Sequence, residues 1–287
     1  MSSEERVGFR GRGVGLVGTR HEPAGTSRGA VVLLHGGGQT RHSWKRTGRR
    51  LADAGWTATA VDIRGHGESD WAPDGDYSFD ALVADLEAVV ADVGEPPVLV
   101  GASLGGMTSL LAQGARPSLA RGLVLVDVTP TTELEGVGEV TDFMRSGADG
   151  FESLDQAADA VAAYNPNRER PPRPEGLERN LRHRDGRWYW HWDPRIVDEI
   201  RTLPATLAEN TRRAREAARS LRLPTMLVRG AASRVVSQDG ARELLELVPG
   251  ARQIDVDGAG HMVAGDDNDV FAAALVEFLE RDVVPAR

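Results

Sequence analysis

The chain of 287 residues contains no cysteine. Disulfides, thiolate metal sites and a cysteine nucleophile are therefore excluded. Lys45 is its only lysine, so the basic side chains are otherwise all arginine, a compositional bias rather than a binding surface. No apolar run approaches the ~18–20 residues that a membrane span needs. The stretch from Met1 to Arg12 is polar and charged and lacks the apolar core of a signal peptide. A cytoplasmic location is the expectation. Positive charge is also in deficit. The net charge of −9 favours solubility and argues against nucleic acid or an anionic membrane as a partner. The seven histidines show no H-E-x-x-H or comparable ligand spacing, and the glycines at 36–38 are not followed by G-K-[ST]. Neither a metal nor an organic cofactor is implied.

What is present suits one large α/β domain with an inserted segment. Hydrophobic residues make up 40% of the chain, enough for a packed core. Residues 5–20 alternate loosely between apolar and polar and predict a hairpin. Four short apolar runs, Ala30–Leu34, Val98–Val100, Gly122–Val128 and Pro224–Arg229, fit strands buried on both faces of a parallel sheet. Trp56–Val61 and Arg252–Val256 add two more. Helical spacing appears over 40–54, 78–93 (with Ser78 as N-cap), 238–247 and 269–278. The alternation predicts right-handed crossovers, with helices on both faces of a mostly parallel sheet. It breaks over residues 131–222, where the spacing predicts helices but no further βα unit. The expected organisation is a core over 1–130 and 223–287, with a helical cap over 131–222.

Ligands bind such a sheet outside the carboxyl ends of its strands. His35, Gly36, Asp62, Ser103 and Asp127 all fall at or just past those ends. Ser103 stands in Gly101-Ala-Ser-Leu-Gly105, a G-x-S-x-G sequence between a strand and a helix. By itself that sequence is equally a glycine-rich turn with a chance serine. A strand that turns sharply into a helix, however, exposes the central hydroxyl and aims backbone N–H groups at it.

The H-G-G-G loop at 35–38, the G-x-S-x-G turn, the R-G-x-G-x-S-D stretch at 64–70 and the G-A-G-H loop at 258–261 resemble the α/β-hydrolase superfamily over about residues 5–282. The resemblance is to the branch of small esterases, carbon–carbon bond hydrolases, epoxide hydrolases and haloalkane dehalogenases. The last two carry aspartate where this chain has Ser103. The resemblance implies Ser103 as nucleophile and His261 as its base, in the chain order serine, acid, histidine. It also implies an oxyanion hole made by the backbone N–H groups of Leu104 and Gly37. His35 is expected to shape its loop, and Asp62 to Asp70 to be structural.

The acid departs from the family pattern. It usually follows the strand matching Thr225–Arg229, where this chain reads Arg229-Gly-Ala-Ala-Ser-Arg-Val-Val-Ser237. Arg234 stands about where an aspartate is expected, and arginine cannot accept a histidine N–H. Asp127, at the end of the sixth strand, is either a substitute acid, as in pancreatic-type lipases, or a turn-capping carboxylate. Asp239 is a weaker candidate in a helical first turn. Asp266 and Asp267 fit the approach to the last helix, with Asn268 as its N-cap.

The aromatic cluster Trp188, Trp190 and Trp192, with Phe143 and Met144, either packs the cap or lines the substrate pocket. Packing is the preferred reading, with one or two of these residues, His35 and Gly36 at the pocket. The expected activity is hydrolysis of a small, mainly apolar ester, thioester or lactone through an acyl-enzyme, by a monomer or homodimer. The alternatives are a ligand-binding protein or weakly active pseudo-enzyme, motivated by Arg234, and a carbon–carbon bond hydrolase.

Overall fold

The computed structural model describes residues 2–164, 174–261 and 269–283. Strands β1 (Ser3–Arg10) and β2 (Gly15–Glu22) form the expected antiparallel hairpin at one edge of the main sheet. Strands β3 (Ala30–Leu34), β4 (Thr57–Val61), β5 (Val98–Ala102) and β6 (Gly122–Val126) follow. Helices α1 (Lys45–Asp53), α2 (Phe79–Val93) and α3 (Leu104–Ala115) alternate with them. After β6 come α4 (Leu134–Arg145), α5 (Leu154–Tyr164), the short strands β7 (Leu181–Arg184) and β8 (Arg187–Trp190), and α6 (Arg195–Ser220). The chain returns to the sheet with β9 (Thr225–Gly230), α7 (Gln238–Leu247), β10 (Arg252–Val256) and α8 (Asp269–Arg281). The main sheet has eight strands in the order β1-β2-β4-β3-β5-β6-β9-β10, and every pair from β4 to β10 is parallel.

The apolar runs behave as both-face burial requires. Side chains alternate across a strand. Val31, Leu33, Val98, Val100, Val124, Val126, Met226 and Val228 therefore pack on one face with Trp44, Leu51, Phe271 and Phe278. Val32, Leu34, Leu99, Leu123, Leu125 and Leu227 pack on the other, against Leu82, Leu86 and Val89 of α2, Leu110 and Leu111 of α3, and Ala214 and Ala217 of α6. Helix α2 starts at Ser78, whose hydroxyl accepts the Ala81 N–H, as its N-cap position predicts. The approach to α8, with Asp266, Asp267 and Asn268, lies outside the described residues.

The segment between β6 and β9 differs from the helical expectation. It contains an antiparallel hairpin, β7–β8, separate from the main sheet. Its two-residue turn is Asp185-Gly186, both at positive φ (52° and 77°), the mirror-image turn that suits strand twist. That dipeptide is a hairpin signal, hidden here among arginines. Helix α6, by contrast, fits the helical expectation and runs from Arg195 to Ser220. The segment's Met144, Phe151, Trp190, Trp192 and Ile196 join the same core as α2 and α3, so it packs onto the sheet domain through apolar contact.

Leu99 lies in the central strand with no solvent exposure. Leu99→Ala is expected to lower unfolding free energy by about 2–5 kcal/mol through lost transfer energy and the cavity left behind. Urea denaturation of the two proteins side by side measures this.

Candidate active site

Ser103 occupies the junction between β5 and α3 with φ 46° and ψ −111°. For a residue with a Cβ this conformation costs about 1–3 kcal/mol and persists only where its surroundings enforce it. Here the turn is clamped from both sides. A Cβ on Gly101 would lie 2.4 Å from the Gly105 carbonyl, and one on Gly105 would lie 2.6 Å from the Leu34 carbonyl oxygen. Only glycine lets these backbones approach so closely. The Ser103 N–H donates to the Val126 carbonyl (3.0 Å), which ties the turn to the end of β6.

His261 follows β10 and meets Ser103 from the opposite side. Its Nε2 lies 3.1 Å from Ser103 Oγ, and its Nδ1 lies 2.7 Å from Asp127 Oδ2. A carboxylate only accepts, so Nδ1 carries the proton and Nε2 is free to accept the serine hydroxyl. Backbone bonds between the loops after β9 and β10, from Ala231 N–H to Val256 and Ala232 N–H to Ala259, hold the histidine loop in place.

Asp127 follows β6 at φ 49°, a left-handed conformation that aspartate tolerates better than most residues. It is fully buried. Its Oδ1 accepts the Gly230 N–H (3.0 Å), and its Oδ2 accepts the Ser233 hydroxyl (2.5 Å) as well as His261. The two oxygens of Asp127 thus reach the end of β9 and His261. Arg234 turns away to pair with Glu135 and Glu139 of α4 on the surface. Asp239 is exposed and pairs with Arg242 in the first turn of α7.

The loop after β3 passes in front of Ser103, where a Cβ on Gly36 would lie 3.4 Å from the serine Cβ. The Gly36 N–H donates to Gln39 Oε1 (2.9 Å) and the Gly38 N–H to His66 Nε2 (3.2 Å). Among the described residues the intervening Gly37 N–H has no acceptor, and neither does the Leu104 N–H at the start of α3. Gly37, Ser103, Leu104 and His261 all line one cavity of about 380 Å³. Its walls are largely apolar. Leu134, Val137 and Val140 come from α4, Ile196 and Leu207 from α6, and Ile63, Leu82, Met107, Val128 and Val235 from the sheet domain. Among the described residues that line it, Arg64 pairs with Asp85 (2.6 Å) and Arg213 with Asp80 (2.5 Å).

The expected pocket residues sit elsewhere. His35, Gly36, Phe143, Met144, Trp188, Trp190 and Trp192 are not among the described residues lining this cavity. His35 and Gly36 belong to the glycine loop beside Ser103, and Met144 and Trp192 pack against that loop from behind. The Met144 side chain would meet a Cβ on Gly37 at 3.5 Å, and the Trp192 ring one on Gly38 at 3.5 Å. Trp190 stacks on Trp192 with centroids 5.0 Å apart, Phe143 stacks on Tyr164 (4.4 Å), and Trp188 lies beside His183. Large rings are satisfied by one another here, and the shorter aliphatic side chains of α4 and α6 face the cavity. Sequence reasoning missed Leu134, Val137, Val140, Ile196 and Leu207, whose helical spacing was the available signal. It also missed Ser233.

Three buried histidines support the loop. His35 accepts the Ile63 N–H at Nε2 (3.0 Å) and donates to the Gly36 carbonyl from Nδ1 (2.8 Å). His66 donates to the Arg64 carbonyl (3.1 Å) while accepting from Gly38, and His191 accepts the Gly67 N–H (2.7 Å). His35 therefore shapes its loop as expected. The rest of the Asp62–Asp70 loop is likewise tied structurally, Arg41 to Asp62, Ser69 to the Asp62 carbonyl and Asp70 to the Gly15 N–H. Burial pushes the His35 imidazole down to about 4 and His66 down to about 3, with the neighbouring His35 adding to the latter. His191 is lowered in the same direction, by burial first and then by His66.

Unfolding would return these imidazoles towards their ordinary value of 6.5. The unfolded chain then binds more protons than the folded one below that pH. Stability should be complete above pH 6.5 and fall by on the order of a few kcal/mol as pH drops towards 4. Thermal unfolding across this window should show the fall, with a smaller slope in His66→Gln; a flat profile would contradict the neutral-histidine assignment.

Known proteins place the chain. The family model described as alpha/beta hydrolase fold matches residues 29–267. An esterase of Mycobacterium tuberculosis, Esterase Rv0045c, is 33% identical over 273 residues, covering 92% of this chain and 85% of its own. The sn-1-specific diacylglycerol lipase ABHD11 of Mus musculus is 29% identical, covering 87% and 80%. Among solved structures, E-2-(acetamidomethylene)succinate hydrolase superposes with a TM-score of 0.82 over 96% of this chain and all of its own, at 24% identity. The chain belongs to the alpha/beta hydrolase fold family and, with an esterase and a lipase among its relatives, is a hydrolase.

Proposed function

We propose that the protein is a serine hydrolase that cleaves small, uncharged, mainly apolar carboxylic esters through a covalent acyl-enzyme. The observation that carries this reading is the chain of hydrogen bonds from Asp127 through His261 to Ser103, opening onto an apolar cavity of about 380 Å³. Ser103 is the nucleophile, His261 the general acid and base, and Asp127 the group that fixes its tautomer.

In this reading Ser103 Oγ attacks the ester carbonyl while His261 Nε2 takes the hydroxyl proton. The carbonyl oxygen becomes an oxyanion, which the Gly37 and Leu104 N–H groups are free to bind. The tetrahedral intermediate collapses, the carbon–oxygen bond to the alcohol breaks, and His261 returns the proton to the departing alcohol. Water then attacks the acyl-serine by the same route, and the carboxylic acid leaves. Asp127 remains a carboxylate throughout and stabilises the imidazolium. All protons and bonds are accounted for by the substrate, one water and these side chains.

The cavity supports the substrate class. Both lining arginines already hold a carboxylate, so among the described residues no spare cation faces an acidic substrate. The aliphatic walls favour an acyl group of modest size, since about 380 Å³ lies near the lower end of ligand-pocket volumes, which run ~300–1,000 Å³. Thioesters and lactones fit the same chemistry. The kinship with esterases supports the ester reading. The segment carrying α4 and α6 acts as the cap over the site. We place the protein in the cytoplasm as a monomer or homodimer. Its partner is the small-molecule substrate, with no nucleic-acid or membrane partner and no cofactor. The described helices include none long and apolar enough to cross a membrane.

Hydrolysis of short-chain p-nitrophenyl esters tests the proposal. Ser103→Ala should abolish turnover, and Asp127→Asn should lower kcat by on the order of 10³–10⁴ while the protein stays folded, as for a triad left in the wrong tautomer. Arg234→Ala should stay within a few-fold of the wild type, because Arg234 faces Glu135 and Glu139. Full activity in Asp127→Asn, or a collapse in Arg234→Ala, would reject the assignment of the acid.

A further inference from the structure

The loop after β9 has lost the usual acid but is still in contact with the acid's replacement. Ser233 Oγ lies 2.5 Å from Asp127 Oδ2, the same oxygen that faces His261 Nδ1. The direction of that bond is fixed. Ser233 Oγ also lies 3.2 Å from the backbone N–H groups of both Val235 and Val236, and these two donors occupy its lone pairs. Its single proton therefore goes to Asp127. The serine is in turn held by the tight turn from Ser233 N–H to the Gly230 carbonyl (2.9 Å), and Gly230 N–H donates to the other oxygen of Asp127. One short loop thus grips both oxygens of a carboxylate from a different strand.

We infer that Ser233 is a positioning residue for the reaction: its hydroxyl sets the orientation of Asp127 and the share of negative charge that Oδ2 presents to His261. This rests on the serine-hydrolase reading above. Ser233 is not among the residues lining the cavity, so it acts through Asp127 and not on the substrate. The other ionisable groups nearby do not compensate for it. Arg234 is turned to Glu135 and Glu139. Arg229 pairs with Asp255. Tyr164, pushed up to about 12 by burial and then by Glu139 and Asp127, stays neutral through the working pH range.

A hydroxyl that donates to a carboxylate withdraws charge from it. Removing the donor leaves more charge on Oδ2, and a histidinium beside it holds its proton more tightly. The base then becomes available only at higher pH. A role confined to holding the loop together would lower the rate without moving this transition.

The rate of Ser103 modification by an alkyl fluorophosphonate, measured against pH on the full chain, reads the effect without knowledge of the natural substrate. In this reaction Ser103 Oγ bonds to phosphorus, fluoride leaves and His261 takes the proton. The acid limb of the profile should move up by about half a pH unit or more in Ser233→Ala, and stay at the wild-type position in Ser233→Thr, which keeps the hydroxyl. Ser233→Cys, similar in size but a weak donor, carries the same expectation as Ser233→Ala should the latter fail to fold. Coincident acid limbs in the wild type and the folded alanine or cysteine variant would overturn the inference, whatever happens to the maximal rate. An equal shift in the threonine variant would overturn it too. Absence of labelling at Ser103 in the wild type would instead overturn the serine-hydrolase reading on which it rests.

Discussion

A carboxylate taken out of water must be given donors or lose its charge. Asp127 has no solvent exposure, and three groups converge on it: the Gly230 N–H, the Ser233 hydroxyl and the His261 imidazole. Much of the surrounding architecture follows from meeting that demand. The end of β6 lies beside the end of β9, so that Gly230 can reach one oxygen. The loop after β9 folds back on itself to offer Ser233. The loop after β10 is tied to the loop after β9 and delivers His261 to the remaining lone pair. With His261 anchored at Nδ1, its other nitrogen faces Ser103.

The serine side of the site is held by a different force. The positive φ of Ser103 is maintained by close packing of glycines rather than by hydrogen bonds to its side chain. In front of it, the glycine loop is supported by neutral histidines, His35 and His66 each using both ring nitrogens towards backbone groups, while Met144 and Trp192 press on the loop from behind. The segment inserted between β6 and β9 therefore has two jobs in one body. Its aromatic residues brace the loop, and its aliphatic residues on α4 and α6 wall the cavity. Arg234 belongs to this second arrangement, tying the loop after β9 to the start of α4.

The sheet was legible because burial on both faces leaves its mark residue by residue. Ala30–Leu34 and Gly122–Val126 could hardly be read otherwise. Ser103 was legible because its strained turn needs glycines at fixed local offsets. His261 was legible from its loop and its late place in the chain. Asp127 was legible only as one of two possibilities, because its contact with His261 depends on which strand ends meet, and that is a non-local fact. Ser233 contacts Asp127 across 106 positions of sequence and gave no local signal. The division of labour within the insertion was equally hidden. Tryptophans at alternating positions announce burial, but whether a ring meets substrate or another ring depends on what covers it. The hairpin at Asp185-Gly186 carried a local signal, as did the helical spacing of the aliphatic residues that wall the cavity.

The most direct test is the low-field proton resonance of the bond between His261 Nδ1 and Asp127. In the wild type at low temperature, a resonance well downfield of the amide region should appear, and it should vanish in His261→Gln and in Asp127→Asn while both variants remain folded. That outcome would place the proton between histidine and the carboxylate that follows β6. A resonance that survives Asp127→Asn unchanged would mean that another carboxylate holds the histidine, and would contradict the assignment on which the mechanism depends.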